Sequence, residues 1–383
     1  MMCSAENNNL IYMDHAATTF MYDEAVNVMV PFFAEKIGNP AAVYRYAGEA
    51  GRAVSEARRI IAGTLNADPS EIIFTSGGTE SDNMAVKSAK NHIITTAIEH
   101  HAVLESCRAM EARGIEVTYV RPGSDGVIDP EEVRAAIRPE TSLISVMFAN
   151  NETGTVEPVR EIGYIAKEYG IMFHTDAVQA YGHLPVDVRE MNIDMLSASA
   201  HKFGGPKGIG FIYVRNGLKP ETFIHGGPQE RGMRAGTLNV PGIAGMGEAA
   251  RISVKDMQHN ADYVRGLRDR MIEGVLGSIP DVRLNGHPEK RLPGNVNFSI
   301  KGIEGETLLI LLDREHICAS SGSACSTGAL EPSHVLTAMG LDAREAAGSL
   351  RLTLAASNTA EEVDTVIRVL KTIVERLRSV RSV

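Results

Sequence analysis

Through its first two-thirds the chain alternates short β-branched runs with segments of helical apolar spacing. The candidate strands are 72–75, 93–97, 115–120, 143–148, 171–175, 195–199 and 210–214. Between them lie helical patterns such as Val159-Ile162-Ile165-Ala166-Tyr169. Repeated βα units predict a mostly parallel sheet with helices on both faces, an α/β fold. In such sheets ligands sit beyond the carboxyl ends of the strands, so the residues just after each run carry the most information about function.

The pattern changes near residue 240. Residues 242–277 read as long helix with a break around 253–260, followed by strands at 282–284 and 296–300, helices from Glu306 and Ser333, and a strand at 349–354. A final helix carries Val363, Val366, Ile367, Leu370, Ile373, Val374 and Leu377 on one face, and Thr359 with Glu362 predicts its capping box. The basic residues of that helix, Arg368, Lys371, Arg376, Arg378 and Arg381, read as a solvated face. At 383 residues the chain is long enough for about two to three domains. We expect a large α/β domain over 16–257 and a smaller α+β domain from 1–15 and 258–383, which carries a loop at about 318–331.

Charge and cysteine content narrow the function classes. With 38 Lys and Arg against 48 Asp and Glu, the net charge of −10 argues against a nucleic-acid backbone as partner. No apolar stretch approaches the ~18–20 residues that span a bilayer, and the polar start lacks the apolar run of a secretory signal. The expected address is the cytoplasm, with no membrane partner. Cys3, Cys107, Cys318 and Cys325 form neither a CxxC nor a zinc-finger quartet. Without a secretory start, Cys318 and Cys325 are expected as thiols rather than a disulfide.

Three segments carry chemistry. In Ile72–Asn83 a strand runs into Gly77-Gly78-Thr79 before a helix opens, so backbone N–H groups and the helix N-terminus could cradle a phosphate. Alone, the same residues read as a Gly turn with a Thr79-x-x-Asp82 cap. Asp176 ends an apolar strand, where a carboxylate can pair with a protonated ring nitrogen; helix capping is the alternative. Lys202 follows the strand 195–199 and precedes a Gly-rich loop, a position poorly explained as solvated surface but suited to a Schiff base with an aldehyde cofactor. Cradle, strand-end Asp and strand-end Lys, in that order, suggest pyridoxal 5'-phosphate.

With those segments the chain resembles the cysteine desulfurases of the class V aminotransferase-like, pyridoxal phosphate-dependent family. The resemblance runs nearly end to end: Tyr12–Thr19, Gly38-Asn39-Pro40, Thr75–Asn83, Glu99-His100, Asn150–Gly154, Asp176–Gln179, Ser199–Lys202, Glu230–Thr237, Ser321–Cys325 and Ser349-Leu350-Arg351. It implies a fold type I enzyme that converts L-cysteine to L-alanine and acts as a homodimer. Lys202 would bind the cofactor and shuttle protons. Asp176 would pair with the pyridine nitrogen, Gln179 with the phenolic oxygen, and His100 would stack on the ring and act as acid and base. Gly78, Thr79, Ser199 and His201 would hold the phosphate, with Thr237 reaching in from a second subunit. Asn151 and Arg351 would position the substrate, Arg351 by a bidentate grip on its carboxylate.

The need for Cys325 can be stated separately. A thiolate that attacks the sulfur of bound cysteine must be accessible and partly ionised, and the small, polar Ser320–Gly328 suits a loop that carries sulfur from a buried site to the surface. The acceptors implied are an iron–sulfur scaffold protein or a tRNA-thiolation relay. No resident metal is expected; the other reading of Cys325 is as a ligand to a cluster held by a partner. Cys107 and Cys318 read as packed thiols. Adjacent His100 and His101 point too far apart on a helix to chelate well. His15 and His174 read as packed or supporting, and Glu99 and Glu152 as loop or cap carboxylates. Ala41-Ala42, Tyr44 and Ala355 depart from the family pattern without removing a reactive group. A selenocysteine lyase or class V aminotransferase is the nearest rival, although an aminotransferase has no use for a loop thiol. A sulfur-delivery scaffold of the same fold is opposed by intact Lys202, Asp176, His100 and Cys325.

Overall fold

The computed structural model describes residues 10–222, 224–321 and 332–381. The strands are β1 (Ile11–Tyr12), β2 (Ile72–Thr75), β3 (His92–Thr96), β4 (Glu116–Val120), β5 (Thr141–Ser145), β6 (Met172–Asp176), β7 (Met195–Ser199), β8 (Gly210–Val214), β9 (Val282–Leu284), β10 (Asn295–Ile300), β11 (Ile317–Cys318) and β12 (Ser349–Thr353). Seven of them form one sheet in the order β2-β8-β7-β6-β5-β3-β4. Within it β8 runs antiparallel to both neighbours, and the remaining pairs are parallel. Helices on both faces bury β2, β3, β7 and β8 completely, which is why none of these strands shows an exposed polar face in alternation.

The expected strands at 72–75, 195–199, 210–214 and 282–284 match the observed bounds, while 143–148 overran. Regular pairing of β5 stops at Ser145, but Val146 and Phe148 still donate to the carbonyls of His174 and Asp176. An apolar run thus continues as backbone that lines the strand ends. The long helical pattern divides into Val240–Lys255 and Met257–Ser278, with Asp256 at the break.

A second sheet, β12-β10-β9, is antiparallel, and β1 pairs in parallel with β11. Around it Phe298, Leu308, Leu350, Leu352, Val366 and Leu370 form a separate apolar cluster with Met13. Phe298 is fully buried there, and truncating such a ring costs about 3–5 kcal/mol. The final helix, Ala360–Arg381, packs its apolar stripe on this cluster. Its capping box forms as predicted: Glu362 N–H donates to Thr359 Oγ1 at 3.2 Å, and Thr359 N–H to Glu362 Oε2 at 3.0 Å.

Candidate active site

Parallel pairing of β6 and β7 sets Asp176 opposite Ser197, so the two strands end side by side. Past β7 a single 3₁₀ turn, Ala200–Lys202, swings the lysine back over the strand end. Its Nζ donates to the carbonyl of Ala17 at 2.8 Å and to that of Ala16, which also accepts Gln179 Nε2 at 3.0 Å. Residues some 185 positions apart are thereby gathered around one short stretch of backbone.

Asp176 is buried, and its Oδ1 accepts the Val178 N–H at 2.9 Å. Burial pushes its carboxyl up to about 6, against the opposing influence of the Val178 N–H and the Lys202 charge. His100 caps the helix His101–Glu111, its Nδ1 accepting the Ala102 N–H at 3.1 Å. That bond assigns the proton of the neutral ring to Nε2. Burial first, then the charges of Lys202, His101 and His334, lower its titration to about 4. Donor atoms of His100, Asp176 and Asp82 all lie within 4.8 Å of one another.

The phosphate-type cradle is built by close approach. Gly77 adopts φ 153°, ψ −174°, a region essentially closed to residues with a side chain. A methyl on Gly78 would stand 2.6 Å from Val178 Cγ2, and one on Gly77 would stand 3.5 Å from Ser199 Oγ. The helix Gly78–Val86 opens there with no side-chain cap, leaving its first N–H groups to a ligand. The Thr79-x-x-Asp82 cap does not form: Thr79 is exposed and Asp82 lies inside the helix, fully buried. His201 Nδ1 is 3.2 Å from Thr18 Oγ1, and burial with the Lys202 and Lys207 charges lowers its titration to about 4. Thr237 is exposed.

Arg351, on β12, is almost fully buried. It donates from Nη1 to the Asn151 carbonyl at 3.0 Å and from Nη2 to Asp14 Oδ1 at 2.8 Å, while its Nε has no acceptor among the described residues. Cys325 and Cys3 lie outside the described residues. The chain that leads toward Cys325 is tied to the site, since Ser320 N–H donates to the Arg351 carbonyl at 3.1 Å. On the far side Ser333 Oγ donates to Glu152 Oε2 at 2.5 Å, and His334 Nε2 is 2.9 Å from the Glu99 carbonyl. Cys107 is a buried free thiol and Cys318 a partly buried one.

Three acids went unread as spanning groups. Glu80 accepts the Ser76 N–H at 2.7 Å and Arg234 Nε at 2.9 Å. Glu230 accepts the Phe74 N–H at 2.8 Å and pairs with Arg58. Together they bind the 230–237 motif to the cradle. Asp82 is the third. Their signal was present, an acid within each recognised motif, but only the tertiary fold supplies the partner. A cavity of about 280 Å³ also touches Lys202 and Gln179, walled by His15, Phe203, Val264 and Leu292, and not by Asp176 or His100.

The donor set fits pyridoxal phosphate: a cradle that a Cβ on Gly78 would crowd, a buried carboxylate, a strand-end lysine, and a neutral imidazole. The family described as aminotransferase class V matches residues 11–366. A curated relative named cysteine desulfurase IscS, from Methanosarcina thermophila, is 50% identical, covering 98% of this chain and 96% of the relative. Among solved structures, a NifS-like protein superposes with a TM-score of 0.90 at 38% identity, over 96% of this chain and 99% of that one. A structure described as SspA in complex with cysteine gives a TM-score of 0.81 at 38% identity, over 91% and 100%.

Proposed function

The chain belongs to the class V aminotransferase family and is a pyridoxal phosphate-dependent cysteine desulfurase of fold type I, and from that premise we propose how its own residues release and carry sulfur. When bound, the cofactor supplies an electron sink for charge at the substrate Cα and Cβ. Lys202 would provide the covalent link and move protons at those carbons. Asp176 would hold the pyridine nitrogen protonated, Gln179 the phenolic oxygen, and His100 would stack on the ring and exchange a proton through Nε2. The phosphate would sit on Gly78, Thr79, Ser199 and His201. Arg351 and Asn151 would orient L-cysteine.

The Cys325 thiolate would then attack the substrate sulfur. One S–S bond forms and the substrate C–S bond breaks. The electron pair stays with the carbon, which takes a proton, so alanine leaves and Cys325 holds a persulfide. The observation that carries this reading is the tether on either side of Cys325: Ser320 on Arg351, and Ser333 on Glu152 beside Asn151. Those anchors place both described ends of the segment that contains Cys325 beside the proposed substrate site. The acceptors we propose are an iron–sulfur scaffold protein or a tRNA-thiolation relay, in a reducing cytoplasm that keeps the thiol available.

Two observations support a homodimer. Phe20, Val30, Phe33, Ile37, Val43 and Tyr44 are exposed along one stretch of chain, with Phe33 and Ile37 at 66% and 68%. Exposed Thr237 is available to complete a second subunit's phosphate site. Met13 and most buried apolar residues of 264–312 and 350–374 form their own cluster, which supports a division into 16–257 and 1–15 with 258–383, while Leu292, Val335, Leu336, Met339, Leu341 and Ala346 pack into the core of the first part.

The test is mass spectrometry of the holoenzyme after L-cysteine treatment. One added sulfur on Cys325 is expected, lost in Cys325→Ala, which keeps the cofactor's visible absorbance. Normal alanine and persulfide formation by Cys325→Ala would end the proposal.

A further inference from the structure

Behind Asp176 sits a second acid that the mechanism above leaves unused. Asp82 projects from the helix Gly78–Val86 and is 1% exposed. Its Oδ1 has no hydrogen-bond partner among the described residues. The nearest candidate cation is His174, whose Nε2 lies 3.7 Å from that oxygen. His174 cannot serve as one. It is fully buried, both ring nitrogens are engaged, with Ser145 Oγ at 2.9 Å and Ser197 Oγ at 3.0 Å, and burial lowers its titration to about 3.

The other ionisable groups around Asp82 make matters worse for a charge. Asp176 is an acid whose charge would oppose another, while Glu99, which burial holds protonated, and His100, a neutral ring, offer no positive charge. Oxygens of Asp82 and Asp176 stand within 4.8 Å of each other in the buried interior, where two carboxylates cannot both remain ionised at little cost. The proton must sit on one of them. Asp176 has a backbone N–H and the Lys202 charge to favour its anion, whereas among the described residues Asp82 has only the Ser197 hydroxyl. The asymmetry assigns the proton to Asp82.

We propose that Asp82 is a positioning residue: held as the neutral acid, it presents its proton to the Asp176 carboxylate and keeps that carboxylate ionised and aimed at the cofactor ring nitrogen. This rests on the reading of Asp176 given above. The Ser145–His174–Ser197 chain of hydroxyl and imidazole groups backs the acid from the other side, and its hydroxyl ends accommodate either imidazole tautomer.

Infrared difference spectroscopy and cofactor titration test it on the holoenzyme and on Asp82→Asn, Asp82→Ala and Asp176→Asn. At neutral pH the wild type should show the carbonyl stretch of a buried carboxylic acid that Asp82→Asn removes. Asp82→Asn, which can still donate, should bind pyridoxal phosphate nearly as well as wild type. Asp82→Ala should weaken binding roughly 10- to 100-fold, the loss of one charge-assisted hydrogen bond. A wild-type spectrum unchanged by Asp82→Asn overturns the proposal, and so does wild-type affinity in Asp82→Ala. If Asp176→Asn binds the cofactor normally while Asp82→Asn still removes the band, the acid pair is real but Asp176 does not serve the ring. The reading of Asp176 then falls, and the positioning role with it, while cysteine desulfuration stands.

Discussion

Arg351 and Asp14, separated by 337 positions in the chain, form a partly buried ion pair at 2.8 Å, and the same guanidinium holds the Asn151 carbonyl at 3.0 Å. Both Nη groups therefore have partners, and the N–H without one among the described residues is Nε. A substrate carboxylate that takes Nε must share or displace Asp14 at Nη2 to complete a bidentate grip. Arg351→Ala should raise the KM for L-cysteine roughly 10- to 100-fold with a smaller fall in kcat. Arg351→Lys keeps the charge but not the planar fork, so it should recover little of that loss. Steady-state kinetics on both variants decide the matter; an unchanged KM in Arg351→Ala would remove the arginine from the substrate site.

The cradle depends on Gly78 having no side chain. Gly78→Ala puts a methyl 2.6 Å from Val178 Cγ2 and should lower cofactor affinity, read as a rise in the Kd for pyridoxal phosphate added to apoenzyme. Adding Val178→Ala makes room for that methyl. The double variant should then bind better than Gly78→Ala alone, a non-additive pairing of neighbouring sites. Failure of this rescue would show that the methyl harms the cradle through something other than that contact.

Glu99 links stability to pH. Its Oε1 accepts Thr96 Oγ1 at 2.7 Å and the Met147 N–H at 2.9 Å, yet burial outweighs both and pushes the carboxyl from 4.5 up to about 8. Between those pH values the folded protein keeps a proton that the unfolded chain has released. The contribution of Glu99 is thus fully present below pH 4.5 and is lost as pH rises toward about 8, by on the order of a few kcal/mol. Glu99→Gln mimics the neutral acid and should remove one proton's worth of slope from denaturation curves measured from pH 5 to 8. A slope identical to wild type would mean that Glu99 is ionised in the folded protein.

Cys107 is fully buried, and burial followed by the nearby Glu99 and Glu111 charges raises its thiol to about 12. Since the thiolate is the reactive form, iodoacetamide should leave Cys107 unmodified in the native protein and label it only after denaturation. Cys325, if it carries sulfur, should label first. Peptide mapping after timed labelling reads both, and native labelling of Cys107 at the rate of Cys325 would contradict its packed position.

The Arg58–Glu230 pair anchors a strained turn, with Glu230 at φ 45° and Arg231 at φ 58°. Glu230→Ala would strand Arg58 and the Phe74 N–H, and should destabilise the fold by about 3–5 kcal/mol. Thermal melts should show a clear fall in Tm, and an unchanged Tm would mean that the pair is not formed.

The chain's local order was sufficient to read many of its elements and to single out strand-end groups. Strands covered by helices on both faces are buried along their whole length, so β2, β7 and β8 stood out with their bounds. The chemistry of a βα sheet sits at strand ends, so Asp176 and Lys202 stood out with their neighbourhood. The capping box at Thr359 and Glu362 spans three residues and was legible for the same reason. What the tertiary structure alone decided are the pairings between distant segments: Arg351 with Asp14, Glu230 with Phe74, and Asp82 behind Asp176. An acid within a helix reads as a cap or a solvated group until strand order sets another carboxylate against it. Sequence period encodes which face a residue occupies, but the partner across that face is set by strand register and crossover, and at Asp82 that partner decides whether the carboxyl keeps its proton.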